Sequence, residues 1–219
     1  MSAPRAPPVA PTAPAAPVPR ARYRRGRVSD TRQLIDLYMG LSAEARHGFH
    51  PFPFRRSSLW VLYPSVLAAS RLLRPLMRRF PRLIVVVVVA ELEGQDGIVA
   101  YGTLRGEVPA NGSPQVRFGF VVGNGFRGYH IGPGLLRRLA EEGYALGMRR
   151  GVGMVFRRDA RAIKAIKALG WEFRESARRD PKAPEEENYE TSLDLEAAVR
   201  TPPAGTTVAA GPGNGPSTA

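Results

Sequence analysis

Hydrophobic and polar positions change period several times along this chain, and each change marks an expected element. Tyr23 to Val28 reads as a weak strand, after which Ser29 and Asp30 are candidate N-caps for a helix carrying Leu34, Ile35, Leu37 and Tyr38. Ser42 is placed to cap a short second helix. An apolar segment from Leu59 to Met77, interrupted by Pro64 and Pro75, then lies within a basic, amphipathic helical insertion at about 55–82. Leu83 to Glu91 is rich in β-branched residues and suits a central strand buried on both faces. Turn chemistry at 94–97 and around Asn111, Gly112 and Pro114 separates it from Ile98 to Leu104 and Val116 to Val122, so the three strands form an antiparallel meander.

The period then becomes 3.6, with Leu135, Leu136, Leu139, Ala140, Gly143 and Leu146 on one stripe and Arg137, Arg138, Glu141 and Glu142 on the other. Val152 to Phe156 is a further strand. Ala162, Ile163, Ile166 and Leu169 mark a helix ended by Gly170, and Trp171 to Arg174 and Tyr189 to Leu195 complete the sheet. The expected fold class is therefore mixed, α/β or α+β, with a largely antiparallel central sheet flanked by helices.

Composition narrows this picture. Residues 1–21 and 199–219 are rich in Pro, Ala, Gly and Thr with few bulky apolar side chains, and are expected to be disordered around a single folded domain at 22–198. The chain has no cysteine and three histidines, which removes disulfides and thiolate chemistry and speaks against a metal site. No secretory h-region and no apolar run near the ~20 residues of a membrane span is present, so a cytoplasmic protein without an integral membrane segment is expected. The formal charge of +13 raises the question of nucleic acid. It is spread unevenly, however, over an acid-free leader and the eight arginines between Arg46 and Arg82, and nucleic acid is not expected as the main partner.

Candidate chemistry lies after the third strand of the meander. Phe126-Arg127-Gly128-Tyr129-His130-Ile131-Gly132-Pro133-Gly134 joins that strand to the amphipathic helix. A strand, a glycine-bearing loop and a helix start offer backbone N–H groups and the positive end of the helix dipole to an anion such as a pyrophosphate. Taken alone, the loop reads equally well as a tight turn.

Val122-Gly123-Asn124-Gly125-Phe126-Arg127-Gly128-Tyr129-His130-Ile131-Gly132 resembles the acetyl-CoA signature of the GNAT superfamily of N-acetyltransferases, an Arg or Gln followed by glycines after a strand. Asp159 to Trp171 resembles that family's second signature, and residues 22–196 follow its element order. The resemblance implies acetyl-CoA as acyl donor, no metal, and direct attack by a primary amine of a small molecule or protein. It further implies that the backbone of Arg127, Gly128, Tyr129, His130, Ile131 and Gly132 cradles the pyrophosphate. The backbone near Val121 and Val122 would pair with the pantetheine, and Asp159 would stand near the coenzyme.

Three positions depart from the family's pattern. His130 stands where a glycine is usual, Asp159 replaces an Asn and reads as an N-cap, and Ile166 falls where many relatives place a tyrosine that protonates the leaving thiolate. For a general base the sequence offers His50 and His130 first, with His47, Glu91 and Glu107 as further candidates. Phe49 to Phe54 is a candidate acceptor wall. A reading from another class stands beside the enzyme: a GNAT-fold module with weak or no catalysis, acting through its Arg-rich surface on nucleic acid or an anionic membrane. The sequence leaves homo-oligomerisation open.

Overall fold

The computed structural model describes residues 19–43, 45–46, 55–110, 112–176 and 187–200. A seven-stranded sheet runs in the order β1-β2-β3-β4-β5-β7-β6. Its strands are β1 (Ala21–Arg25), β2 (Val85–Leu92), β3 (Ile98–Glu107), β4 (Gln115–Val122), β5 (Arg150–Phe156), β6 (Glu172–Glu175) and β7 (Asn188–Asp194). Every neighbouring pair is antiparallel except β4 with β5. The expected mixed sheet is thus present, with one feature that local pattern did not disclose: β7 inserts between β5 and β6.

Helices cover both faces. On one side α4 (Ile131–Ala145) lies across β2, β3 and β4, with α5 (Ala160–Lys167) and α6 (Leu195–Arg200) beside it. Leu135, Leu136 and Leu139 of α4 are buried there against Val86, Val88, Leu104 and Val116. On the other side α1 (Thr31–Met39) and α2 (Arg56–Leu72) pack on β2 and β3, burying Leu34, Ile35, Leu59 and Leu67 with Val87 and Val89. The alternation along β2 explains this division, because Val86 and Val88 face one layer and Val87 and Val89 the other.

Two expectations about local chemistry are corrected. Pro64 does not interrupt the insertion: α2 runs through it, since the buried stripe of Leu59, Tyr63, Leu67 and Ser70 outweighs the roughly 3 kcal/mol an interior proline costs a helix. Asp30 occupies the N-cap position of α1 but does not cap it through its side chain. Its carboxylate instead accepts the Arg27 N–H at 2.7 Å and a two-pronged pair from Arg24 at 2.7 and 3.0 Å, the charged partner being the stronger one. Burial raises the pKa of Asp30, and the Arg24 guanidinium with the Arg27 N–H more than reverses that, leaving the carboxyl below its ordinary value.

The short α3 (Arg74–Met77) and a 3-10 turn (Pro81–Leu83) end the arginine-rich segment. Gly106 fixes that turn against β3, because a Cβ there would run into the Pro81 carbonyl oxygen. No helix among the described residues is long and apolar enough to cross a membrane.

Candidate active site

β4 and β5 are eight and seven residues long, yet they pair only at Val116 with Gly151 and Arg117 with Val152. From Phe118 to Val122 the edge of β4 toward β5 has no ladder partner among the described residues, so the two strands part like a V. Phe118 and Trp171 fill its fork on the α4 face, ring against ring at 5.0 Å and near-perpendicular. Both lie over glycines of β5. A Cβ at Gly151 would stand 2.5 Å from the Phe118 ring, and one at Gly153 would stand 2.8 Å from the Thr191 hydroxyl and 3.6 Å from Trp171. An open strand edge presents backbone donors and acceptors to any extended chain that adds alongside it.

The mouth of the V meets the loop that the sequence singled out. After β4, a 3-10 turn (Asn124–Phe126) leads through Arg127, Gly128, Tyr129 and His130 into α4. Gly128 has φ +99, and no atom lies within 4 Å of where its Cβ would be. His130 has φ 55 and ψ 23, the left-handed region, and no other described non-glycine residue has positive φ. The family's usual glycine therefore has a backbone reason at this position: the turn into α4 is left-handed, and an L-residue sits there under strain of about 1–2 kcal/mol.

Helix geometry leaves the N–H groups of Ile131 and Gly132 without intrahelical acceptors, and Pro133 has none to offer. No side chain caps the helix and no acid occupies its first turn, so the positive end of its dipole is uncompensated within the helix. Gly134 allows Tyr23 to pack against the first turn, where the Tyr23 hydroxyl donates to the Ile131 carbonyl at 3.2 Å.

Of the expected site residues, Val121, Val122, Arg127, Gly128, Tyr129, His130, Ile131 and Gly132 lie on this one strand, loop and helix start. Asp159 follows β5 and accepts the Ala162 N–H at 2.9 Å as the N-cap of α5. His47, His50 and the segment Phe49 to Phe54 lie outside the described residues. Ile166 is buried in the core.

Glu107 pairs with Gln115 at the far end of β4, six residues or about 20 Å from Val121, and is tied to Arg117 at 2.5 Å. Burial raises its pKa, and Arg117 more than reverses the effect, holding it below its ordinary value. Glu91 is bonded to Arg24.

Two features beside the V had no sequence signal beyond residue type. Tyr101 of β3 pairs in register with Val121, and its hydroxyl lies 2.5 Å from that of Tyr63 on α2, both buried. Desolvation pushes both phenols well up, so they are neutral hydroxyls. Asn188 of β7 stands opposite Phe156, is 3 % exposed, and among the described residues neither atom of its amide has a hydrogen-bond partner. Strand alternation places it on the same face as Val121.

No protein-family model matches the sequence, and no curated protein matches it. Solved structures do resemble the fold. The ribosomal-protein-S5-alanine acetyltransferase from Vibrio fischeri superposes with TM-score 0.66 at 13 % identity, over 80 % of this chain and 93 % of that one. An acetyltransferase of the GNAT family from Streptococcus pneumoniae gives 0.58 at 15 %, over 80 % and 99 %. The yncA structure from Salmonella typhimurium with its cofactor acetyl-CoA gives 0.57 at 16 %, over 80 % and 94 %. The fold is that of the GNAT acetyltransferases.

Proposed function

We propose that this protein is an N-acetyltransferase that moves an acetyl group from acetyl-CoA to a primary amine of a small molecule or protein. The observation that carries the reading is the joining of an unpaired β4 edge to an uncapped helix start through a loop with room at Gly128. The solved fold neighbour with acetyl-CoA supports the choice of donor.

In this reading the N–H groups from Arg127 to Gly132 hold the pyrophosphate, and the β4 backbone near Val121 and Val122 aligns the pantetheine arm as an added strand. Acetyl-CoA supplies a thioester, whose carbon is attacked by the neutral amine nitrogen as the C–S bond breaks and the thiolate departs. A backbone N–H aimed at the carbonyl oxygen stabilises the charge developing on it. Alignment of amine and thioester along the V supplies effective molarity. His130, exposed at the mouth of the loop, is the described candidate for accepting the ammonium proton, with His50 the second candidate. Ile166 offers no proton, so the departing thiolate takes one from solvent, and the nitrogen releases to solvent the proton it sheds on becoming an amide.

Calorimetric titration of acetyl-CoA tests the donor site, and mass spectrometry against an amine panel tests transfer. Saturating coenzyme at about 100 times its Kd stabilises the native protein by about 2.7 kcal/mol. Gly128→Val places a β-branched side chain in the open space at positive φ and removes that stabilisation. An unchanged thermal midpoint and no heat with the wild-type chain would defeat the reading.

A further inference from the structure

Among the described residues, six of the ten exposed large hydrophobic side chains fall between positions 60 and 83: Trp60, Val61, Leu72, Leu76, Phe80 and Leu83. On α2 their placement is not that of a helix built to face water. Leu59, Tyr63, Leu67 and Ser70 form its buried stripe. On the opposite side stand Val61 and Leu72, eleven residues or about three turns apart, 71 % and 74 % exposed. Between them that outer face carries only Ser65 and Ala68, and fourteen consecutive residues from Ser57 to Ser70 bear no charge. A solvated helix normally carries charge on its outer face.

Around this uncharged face the charge is of one sign. Arg55 and Arg56 precede it, and Arg71, Arg74, Arg78, Arg79 and Arg82 follow it, all exposed, with no acidic residue between Glu44 and Glu91. Arg56 pairs with Asp36 of α1 and Arg78 donates to the Ala145 carbonyl. No ion pair joins the other five to a described residue.

We propose that the outer face of α2, with α3 and the turn that follows, is a docking surface for an anionic lipid bilayer, on which the helix lies in the interface plane. Exposed aliphatic residues and a half-exposed Trp60 suit the boundary of headgroups and acyl chains, while the flanking arginines suit acidic headgroups. Two other occupants fit less well. A two-fold dimer through this face would set the arginines against their own copies, with Asp36 compensating Arg56 alone. Nucleic acid would satisfy the arginines but leave Val61, Leu72, Leu76 and Phe80 against phosphate and water. This surface involves no coenzyme contact, so it stands or falls separately from the acetyltransferase reading.

The test is flotation of the full chain with phosphatidylcholine vesicles made with and without phosphatidylglycerol, alongside Trp fluorescence. Trp171 is buried, so a blue shift on adding anionic vesicles reports Trp60. Expected are co-flotation with anionic vesicles only, a blue shift, and loss of about 10- to 30-fold in affinity for Arg71→Gln with Arg74→Gln. Val61→Ser with Leu72→Ser should weaken binding at an unchanged thermal midpoint, since both side chains are exposed. Absence of flotation, equal flotation with neutral vesicles, or anionic binding untouched by these variants overturns the assignment, the last placing the contact in the arginines of the leader. A single-stranded RNA oligomer bound more tightly than the vesicles, with the loss confined to the arginine variant, overturns it as well.

Discussion

His130→Gly tests the local geometry on which the donor site rests. The residue holds φ 55 and ψ 23 at the step from loop to α4. A left-handed conformation costs an L-residue about 1–2 kcal/mol. Glycine escapes that strain but has more freedom to lose on folding, by about 0.4–1 kcal/mol. The net gain for His130→Gly is therefore about 0.5–1 kcal/mol. For a chain of this size that is a rise of roughly 1–4 °C in thermal midpoint.

His130→Ala keeps the Cβ and the strain, so it should gain nothing, and β-branched His130→Val should be less stable still. The assay is thermal unfolding by circular dichroism across the three variants, with an acetyl-CoA titration of each. Because the backbone, and not the imidazole, is assigned to the pyrophosphate, His130→Gly should bind coenzyme at least as well as the wild type. If His130→Gly is no more stable than His130→Ala, the backbone at this step is not left-handed and the reasoning fails.

Further outcomes follow from particular contacts. Tyr101→Phe leaves the buried Tyr63 hydroxyl without the partner 2.5 Å away and should cost about 1–3 kcal/mol in urea unfolding, while the double Tyr63→Phe, Tyr101→Phe variant should cost less than the sum of the singles. Asn188→Leu removes two buried amide atoms that have no partner among the described residues and should stabilise the protein by about 1 kcal/mol in urea unfolding; destabilisation would refute this. Gly106→Ala drives a Cβ into the Pro81 carbonyl and should cost roughly 3 kcal/mol or more, seen as loss of cooperative unfolding at ambient temperature. Asp30 and Glu107 both titrate below their ordinary values when folded. Their contribution is therefore complete above the unfolded carboxyl pKa values of about 4 and is lost as pH falls through the lower folded ones, and Asp30→Asn should flatten the acid limb of a stability-against-pH curve.

Much of the fold was legible because periodicity and burial coincide. The run of valines in β2 is buried on both faces, the stripe of Leu135, Leu136 and Leu139 is the buried side of α4, and Asp159 caps α5 with its own side chain. Where two interactions competed, the sequence was silent about the winner. Asp30 could cap α1 or bind Arg24, and only the approach of β1 decided for the arginine. Pro64 signals a break, yet the packing of Leu59 and Leu67 against the sheet carries α2 through it.

By itself, then, the order of residues determined where most strands and the helix after the third meander strand fall, that a glycine-bearing loop joins β4 to α4, and that the arginines between positions 55 and 82 have no acids among them. The tertiary structure alone decided that β7 enters between β5 and β6, that β4 and β5 part after two residue pairs, and that Tyr63 meets Tyr101 beside Val121. The reason is one of range. Helical and strand periods, caps and turns are set by neighbours within a few residues, whereas strand order, the opening of a sheet and a contact 38 residues apart depend on which faces the whole chain can bury together.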